Sequence, residues 1–284
     1  MNKEKLIKDV LSSDAFILSP LVGGMMNESS IVSSNGKKYV LYVSTEQANE
    51  MVNRNLEKDN QSLVYSLGIT SKNVYFDTSK GIKINEFIEG SSLDKINDYD
   101  LEKVAKLLHV LHGSNKLSQE DYQPFKRFIV YENEADSFIK EQDKDYLELR
   151  KIIFDNKSYL ESQKMVLCHN DAQKSNIVKS NKDEYFLIDF EFMGNNDPIY
   201  DIATFGNGTV EEGYALLNEY APNSSIDLKK RYYLWRIFIS LQWYNVALVK
   251  HYRGEGKIHN FNFLSVAEFF LNNAKTAKNY LSKM

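Results

Sequence analysis

The sequence predicts an α+β protein of two lobes, a small N-terminal lobe built on an antiparallel β-sheet and a larger, mainly helical C-terminal lobe. Segments rich in β-branched and aromatic residues dominate the chain up to residue 88, and long runs with helical spacing of apolar residues follow it. The 284 residues are 43% hydrophobic, enough to bury a sizeable core. We therefore place one domain at residues 1–88 and a second at residues 89–284.

The predicted sheet begins with two segments, FILSPLVGG and ESSIVSSNGKKYVLYVS. The second is divided by Asn35-Gly36, a pair typical of two-residue hairpin turns. One amphipathic helix is expected over residues 46–67, which contain neither Gly nor Pro. Further strands are expected at residues 73–76 and 82–88.

The second lobe is predicted to be helical with three short strands inserted. The strands are apolar runs at 165–168, 177–178 and 185–188. The expected helices cover residues 101–111, 138–153, 229–252 and 263–281.

Composition limits the possible partners. With 35 Lys and Arg against 39 Asp and Glu, the net charge of -4 provides no broad basic field for nucleic acid. The single cysteine, Cys168, excludes an intramolecular disulfide framework and favours a reducing compartment, so we expect a cytoplasmic location. The N-terminal segment is typical of neither a signal peptide nor a membrane span, and we expect small-molecule partners.

The segment HNDAQKSN lies between the first two of these short strands and contains His169, Asp171 and Asn176; Asp189 follows the third. Phosphoryl transfer needs a carboxylate that accepts the proton of the attacking hydroxyl, and hard oxygen ligands for magnesium. HxDxxxxN followed by an aspartate is the order of the catalytic loop and metal aspartate of protein kinases. A turn role is ordinary for any one Asp or Asn, but their joint spacing favours a kinase site.

HNDAQKSN and LIDFEFMGNNDPIYDIA resemble the choline and ethanolamine kinases, especially the bacterial choline kinases. GGMMN, NRNLEKDN and GIKINEFIEG extend the likeness, which weakens after about residue 205. The resemblance implies a protein-kinase-like fold related to the aminoglycoside phosphotransferases, with ATP and Mg2+ as cofactors. It also implies that Asp171 is the catalytic base, that Asn176 and Asp189 are metal ligands, and that Gln173 lies near the acceptor hydroxyl.

The resemblance also implies a nucleotide site. Gly24 and Asn27 would belong to a phosphate-binding turn, and Glu86 and Ile88 to the hinge that contacts adenine. Glu57 matches the helix glutamate that pairs with a strand lysine in kinases. An ordinary hairpin turn, an edge strand and a solvated helix face remain the alternatives for these three places.

The strand YVLYV departs from the kinase pattern. Tyr42 stands where kinases have a phosphate-binding Lys or Arg, and a phenol carries no positive charge. Lys38, four residues back on the same strand face, and Arg54 are candidate replacements. Either the cation has moved, or the chain is a nucleotide- or choline-binding protein with weak turnover. The retained loop and metal residues favour activity.

The acceptor site of a choline kinase would hold a quaternary ammonium on aromatic faces beside a carboxylate. Aromatic stripes on helices also arise from core packing, and Ser240 or Ile239 stands where the family usually has a second Trp. The acceptor therefore stays open between choline, ethanolamine or a related amino alcohol, with thiamine or an aminoglycoside as further alternatives. The candidate acceptor-binding residues are Gln173, Glu191, Phe192, Trp243, Tyr244, Phe261 and Phe263.

Two polar residues have structural interpretations. His169 is expected to brace the catalytic loop, because Asp171 already supplies the base. Asp201 is expected to cap its helix or to tie back the same loop.

Overall fold

A five-stranded antiparallel sheet forms the N-terminal part of the structure, a computed structural model that describes residues 2–21, 27–256 and 261–284. In order along the sheet, β5 lies between β3 and β4, so β3 and β5 are direct neighbours. Asn35 and Gly36 have φ values of 50° and 71°, the left-handed pair that a tight hairpin turn needs, and the predicted turn is confirmed. The strands are β1 (Phe16–Leu21), β2 (Asn27–Ser34), β3 (Lys37–Ser44), β4 (Asn73–Asp77) and β5 (Ile82–Glu86).

Three helices accompany the sheet: α1 (Lys3–Val10), α2 (Glu46–Met51) and α3 (Arg54–Tyr65). The single helix predicted over 46–67 is wrong at one point, because Val52 and Asn53 are extended. The Asn53 side chain accepts a hydrogen bond from the backbone N–H of Leu56 and starts a new helix there.

The C-terminal part is mainly helical and packs around one long central helix. This helix, α10, contacts α5, α6, α8, α9 and α11, and its buried side chains include Trp235 and Phe238. The helices are α4 (Leu101–His112), α5 (Pro124–Asp136), α6 (Lys144–Asp155), α7 (Lys157–Glu161), α8 (Pro198–Phe205), α9 (Val210–Tyr220), α10 (Ile226–Tyr252) and α11 (Phe263–Leu281).

The helix predicted over 138–153 is also wrong, since α5 ends before it and α6 begins inside it. Pro124 occupies the first turn of α5, where its missing N–H costs nothing. Asp143 caps α6 by accepting from the N–H groups of Asp145 and Tyr146.

Five short strands connect the two parts and present the catalytic segments. β6, β8 and β9 form one small sheet, and β7 pairs with β10. A Cβ at Gly90 would lie 2.2 Å from the carbonyl oxygen of Lys179, so only glycine lets β6 approach β8 this closely. The predicted division at residue 88 falls in the link between β5 and β6 and stays a prediction. The strands are β6 (Gly90–Ser92), β7 (Val166–Cys168), β8 (Ile177–Ser180), β9 (Tyr185–Leu187) and β10 (Gly194–Asn196).

Hydropathy of the helices bears on membrane association. Throughout the described ranges, each helix is too short or too polar to span a bilayer.

Candidate active site

A short hairpin brings the catalytic segment and the second aspartate together. β8 pairs with β9 so that Ile177 faces Leu187, and the N–H of Ile188 donates to the carbonyl oxygen of Asn176 at 3.0 Å. Asp189, the next residue after Ile188, therefore lies close to Asn176 in space. The predicted meeting of these two residues with the loop that carries Asp171 is confirmed.

Asp171 is held by amide groups. Asn176 Nδ2 donates to Asp171 Oδ2 at 2.8 Å, and Gln173 Nε2 donates to the same oxygen at 3.3 Å. Burial raises the pKa of Asp171 well above its usual range, and the nearby charges of Asp189 and Glu191 raise it further. An oxygen with fixed orientation and high proton affinity is what a general base requires.

His169 braces this loop, as predicted. Its Nε2 donates to the carbonyl oxygen of Ile188 at 2.9 Å, and its Nδ1 accepts from the N–H of Asp171 at 3.3 Å. Burial lowers the pKa of His169, which favours the neutral ring that can donate from one nitrogen and accept on the other.

Asp201 ties the loop back to α8, and this prediction is confirmed as well. Its two carboxylate oxygens accept from the N–H groups of His169 at 2.8 Å and Asn170 at 2.7 Å. His112 Nε2 lies 3.0 Å from the same carboxylate. Asn170 has a φ of 63°, and these bonds stabilise that left-handed conformation.

The oxygens beside Asp171 fit a divalent cation by their chemistry. The amide nitrogen of Asn176 is used by Asp171, which leaves its amide oxygen as the ligand atom. The Asp189 side chain is 28% exposed and reaches the cleft. Carboxylate and amide oxygens are the ligands that Mg2+ prefers, so Asn176 and Asp189 could hold it.

A lysine that the sequence analysis missed lies next to these oxygens. Lys83, on β5, places Nζ 2.5 Å from Glu57 Oε1 and 3.4 Å from Asp189 Oδ1. Its side chain is only 4% exposed. Burial alone would lower the pKa of Lys83, but the carboxylates outweigh it and raise the pKa. The helix glutamate therefore does pair with a strand lysine, though not one on β3.

Arg54 extends the network on the other side of Glu57. Its Nη1 lies 2.6 Å from Glu57 Oε2 and 2.9 Å from Glu191 Oε2. Asn27 Nδ2 donates to Glu191 Oε1 at 3.4 Å. Burial raises the pKa of Glu191 to about 7, with the charge of Asp189 as the next cause. Glu191 thus belongs to the charged network of the cleft.

The other predicted nucleotide residues are spread around this network. Tyr42 lies beneath Lys83, with its ring centroid 4.8 Å from Nζ. Lys38 pairs with Glu89 near the surface and lies outside the network. Glu86 and Ile88 lie at the link between the two parts of the chain, where a hinge was expected. Gly24 lies outside the described residues.

A cavity beside Asp171 is lined by five aromatic rings together with aliphatic and charged side chains. It holds about 100 Å³, whereas pockets for drug-sized ligands hold roughly 300 to 1,000 Å³. Asn170 and Asp171 form part of its wall. The rings are Tyr122, Tyr131, Phe192, Tyr200 and Trp243.

The charged groups of this cavity already have partners. Arg253 pairs with Glu134, and Lys250 pairs with Glu255 at 2.7 Å. The guanidinium of Arg127 lies 4.9 Å from the Tyr122 ring centroid and 5.6 Å from that of Phe192. Two of the five rings, Tyr122 and Phe192, therefore already lie within cation–π distance of a cation.

The predicted acceptor residues divide between this cavity and other places. Phe192 and Trp243 line it. Tyr244 stacks on Tyr146 in the core. Gln173 contacts Asp171 from the side of the loop, and Glu191 faces Arg54.

Phe261 and Phe263 contact each other, with ring centroids 5.1 Å apart. Neither is among the described residues that line the cavity, although Phe263 lies 5.8 Å from Nζ of Lys250, which does line it.

Among the rings of the cavity, the sequence analysis missed Tyr122 and Tyr131, on α5 and its approach, and Tyr200 on α8. Pro124 at the first turn was the available signal for α5.

Comparison with known families shows which family the chain belongs to. A model of the choline/ethanolamine kinase family matches residues 18–236. The chain belongs to this family. The expectation drawn from HNDAQKSN and LIDFEF is confirmed, and the class of enzyme is a phosphotransferase with an alcohol acceptor.

Individual relatives agree with the family assignment. Protein LicA of Haemophilus influenzae is 28% identical over 189 residues, which are 64% of this chain and 56% of that protein. The choline kinase LicA from Streptococcus pneumoniae superposes with a TM-score of 0.75 and 26% identity over 100% of both chains. A structure of LicA in complex with AMP gives the same TM-score and identity over 99% of this chain and 96% of that one. The kinase-like fold is confirmed.

Proposed function

We propose that the chain transfers the γ-phosphoryl group of ATP to the hydroxyl of choline, giving phosphocholine and ADP. The observation that carries this proposal is that Asp171, the half-buried loop carboxylate, forms part of the wall of a cavity that contains five aromatic rings. An acceptor cation held on the rings would present its hydroxyl to Asp171. The AMP complex of LicA supports the use of an adenine nucleotide.

The residues have separate roles in an in-line transfer. Asp171 orients the acceptor hydroxyl and takes its proton, and His169 and Asp201 hold its loop in place. Asn176 and Asp189 would hold Mg2+, which supplies positive charge to the phosphate oxygens when bound. Glu86 and Ile88 would contact adenine at the hinge.

Cavity size and ring content favour choline over larger acceptors. An aminoglycoside has several rings and would need far more than about 100 Å³. The trimethylammonium group has no N–H donor, and each cation–π contact contributes about 0.5 to 2 kcal/mol. Trp243 and Phe192, which the sequence predicts for this role, both line the cavity, and this supports the proposal.

Ethanolamine is the second candidate acceptor, and one atom favours it. Gln242 Oε1 is buried at the cavity and has no hydrogen-bond partner among the described residues. A buried acceptor without a partner costs about 1 to 3 kcal/mol, which an ammonium N–H would recover. Choline has no such N–H to offer.

The test is ADP release from Mg·ATP with a series of acceptors that differ only in methylation. Choline, dimethylaminoethanol, methylaminoethanol and ethanolamine form the series, and thiamine and kanamycin serve as larger acceptors. We expect kcat/KM to rise with each methyl group and the larger acceptors to be inactive. If kcat/KM rose instead as methyl groups were removed, ethanolamine would be the acceptor. Activity with none of the six compounds would overturn the proposal.

A further inference from the structure

Lys83 lies directly across the sheet from Tyr42, the residue that replaces the strand cation of kinases. β3 and β5 are neighbours, and their register sets Lys83 directly opposite Tyr42. Residues paired in this way project from the same face of an antiparallel sheet with Cβ atoms about 4.5 to 5.5 Å apart. Lys83 therefore lies on the same face of the sheet as Tyr42, which stands at the position where kinases carry their strand cation. The two residues are on neighbouring strands.

Packing alone does not account for a lysine at this position. Ile82 and Ile84 flank it and belong to a buried apolar cluster on the opposite face of the strand, whereas the Lys83 side chain is only 4% exposed and faces carboxylates. Removing an ammonium from water costs several kcal/mol unless other charges compensate. The compensation here comes from Glu57 and Asp189, on α3 and on the catalytic hairpin, so the charge of Lys83 connects the two parts of the cleft.

Lys83 also has capacity for another partner. An ammonium has three N–H donors, and Glu57 and Asp189 account for two of them. Tyr42 presents its ring to the same ammonium and fixes its position from below. The ammonium nitrogen itself lies 3.4 Å from Asp189 Oδ1, and Asp189 is the carboxylate that would hold magnesium on the phosphates.

We infer that Lys83 is the residue that binds the nucleotide phosphates in this chain, and that Tyr42 is its aromatic support. The cation has moved from β3 to the facing position of β5, while Glu57 keeps its role as partner. This inference rests on the proposed function, because it needs a nucleotide in the cleft.

The test measures equilibrium binding of Mg·AMP-PNP and of adenosine, without turnover, by isothermal titration calorimetry. Lys83→Met should weaken AMP-PNP binding by roughly 10- to 100-fold, the loss of one hydrogen bond to a charged group, and leave adenosine binding unchanged. Lys80→Met is the matched control, because Lys80 lies on the same hairpin, is 68% exposed and pairs with Asp77. The control should bind both ligands as the intact chain does.

An exchange variant tests the move itself. Tyr42→Lys with Lys83→Tyr returns the cation to β3, and its AMP-PNP affinity should recover to near that of the intact chain. If Lys83→Met does not fold, Lys83→Gln removes the charge but keeps a donor for Glu57, and the same loss is expected.

Several results would overturn the inference. AMP-PNP binding unchanged in a folded Lys83 variant, an equal loss of adenosine and AMP-PNP, or a folded exchange variant no better than Lys83→Met would each do so. These results leave the proposed function standing. If the intact chain bound no Mg·AMP-PNP, the proposed function itself would fall.

Discussion

The buried ion pairs around Lys83, which form the floor of the cleft, and the cavity beside Asp171 are adjacent but differ in composition. On the floor, Lys83, Arg54 and Glu57 are buried and joined by ion pairs of 2.5 to 2.6 Å. In the cavity, five aromatic rings share the wall with aliphatic and charged side chains, and Gln242 Oε1 has no described partner. Under the proposed function, the first region would hold fixed charges for the phosphates, and the second would offer ring faces to the acceptor.

This difference separates the effects expected of substitutions. Changes on the floor should reduce kcat or nucleotide affinity, because they alter the charges around the transferred group. Changes in the cavity should act on the acceptor KM and on the choice between amino alcohols. Asp171 connects the two regions, since it lines the cavity and accepts a hydrogen bond from Asn176, one of the two proposed metal ligands.

The largest effect is expected for Asp171→Asn. The amide cannot accept the proton of the acceptor hydroxyl, and we expect kcat to fall by about 10²- to 10⁴-fold. Choline binding should persist, because the rings are intact. Steady-state kinetics and calorimetry check the two parts, and a kcat within tenfold of the intact chain would contradict the role of Asp171 as base.

Removal of the loop anchor should have the next largest effect. Asp201→Ala leaves the buried N–H groups of His169 and Asn170 without acceptors, and we expect the free energy of unfolding to fall by about 2 to 5 kcal/mol. Urea unfolding measures it. Asp155→Ala is the control, because its side chain is 59% exposed and its ion pair with Lys151 should contribute less than about 1 kcal/mol. Equal losses in the two variants would show that Asp201 anchors nothing.

Trp243→Leu should affect the acceptor alone. The loss of one cation–π face is expected to raise the KM for choline by about 2- to 30-fold, with little change in kcat. Tyr65→Leu removes an aromatic ring that is 48% exposed and should leave the choline KM unchanged. A fall in kcat with an unchanged KM for choline would contradict the proposed role of Trp243 in binding the acceptor.

Gln242→Leu should have the smallest effect and should depend on the acceptor. We expect the KM for ethanolamine to rise by about 2- to 12-fold, because the amide oxygen no longer accepts its N–H. The KM for choline should not rise. Parallel titrations of both acceptors with each variant measure this, and equal changes for the two would exclude Gln242 as a selector.

The two regions also differ in how far the sequence predicts them. His169, Asp171 and Asn176 lie within eight positions and Asp189 follows one hairpin later, so short-range spacing determines their meeting. Lys83 was missed because it comes close to Tyr42 only when β5 lies beside β3. That strand order is determined by the packing of the whole sheet.

The cavity was predicted less completely because distant segments build it. Tyr122, Tyr131 and Tyr200 come from segments around α5 and α8, and the helix predicted over 138–153 left α5 out. Tyr244, next to Trp243 in sequence, points into the core instead, because neighbours on a helix project about 100° apart. Long-range packing decides which aromatic residues meet.

The most direct test of the account is phosphorus NMR of a reaction that contains ATP, magnesium and choline, with the intact chain and with Asp171→Asn. We predict a phosphocholine resonance that grows with ADP in the first sample and is nearly absent from the second. No phosphocholine from the intact chain, while ATP or choline still binds, would contradict the account and favour a binding protein without turnover.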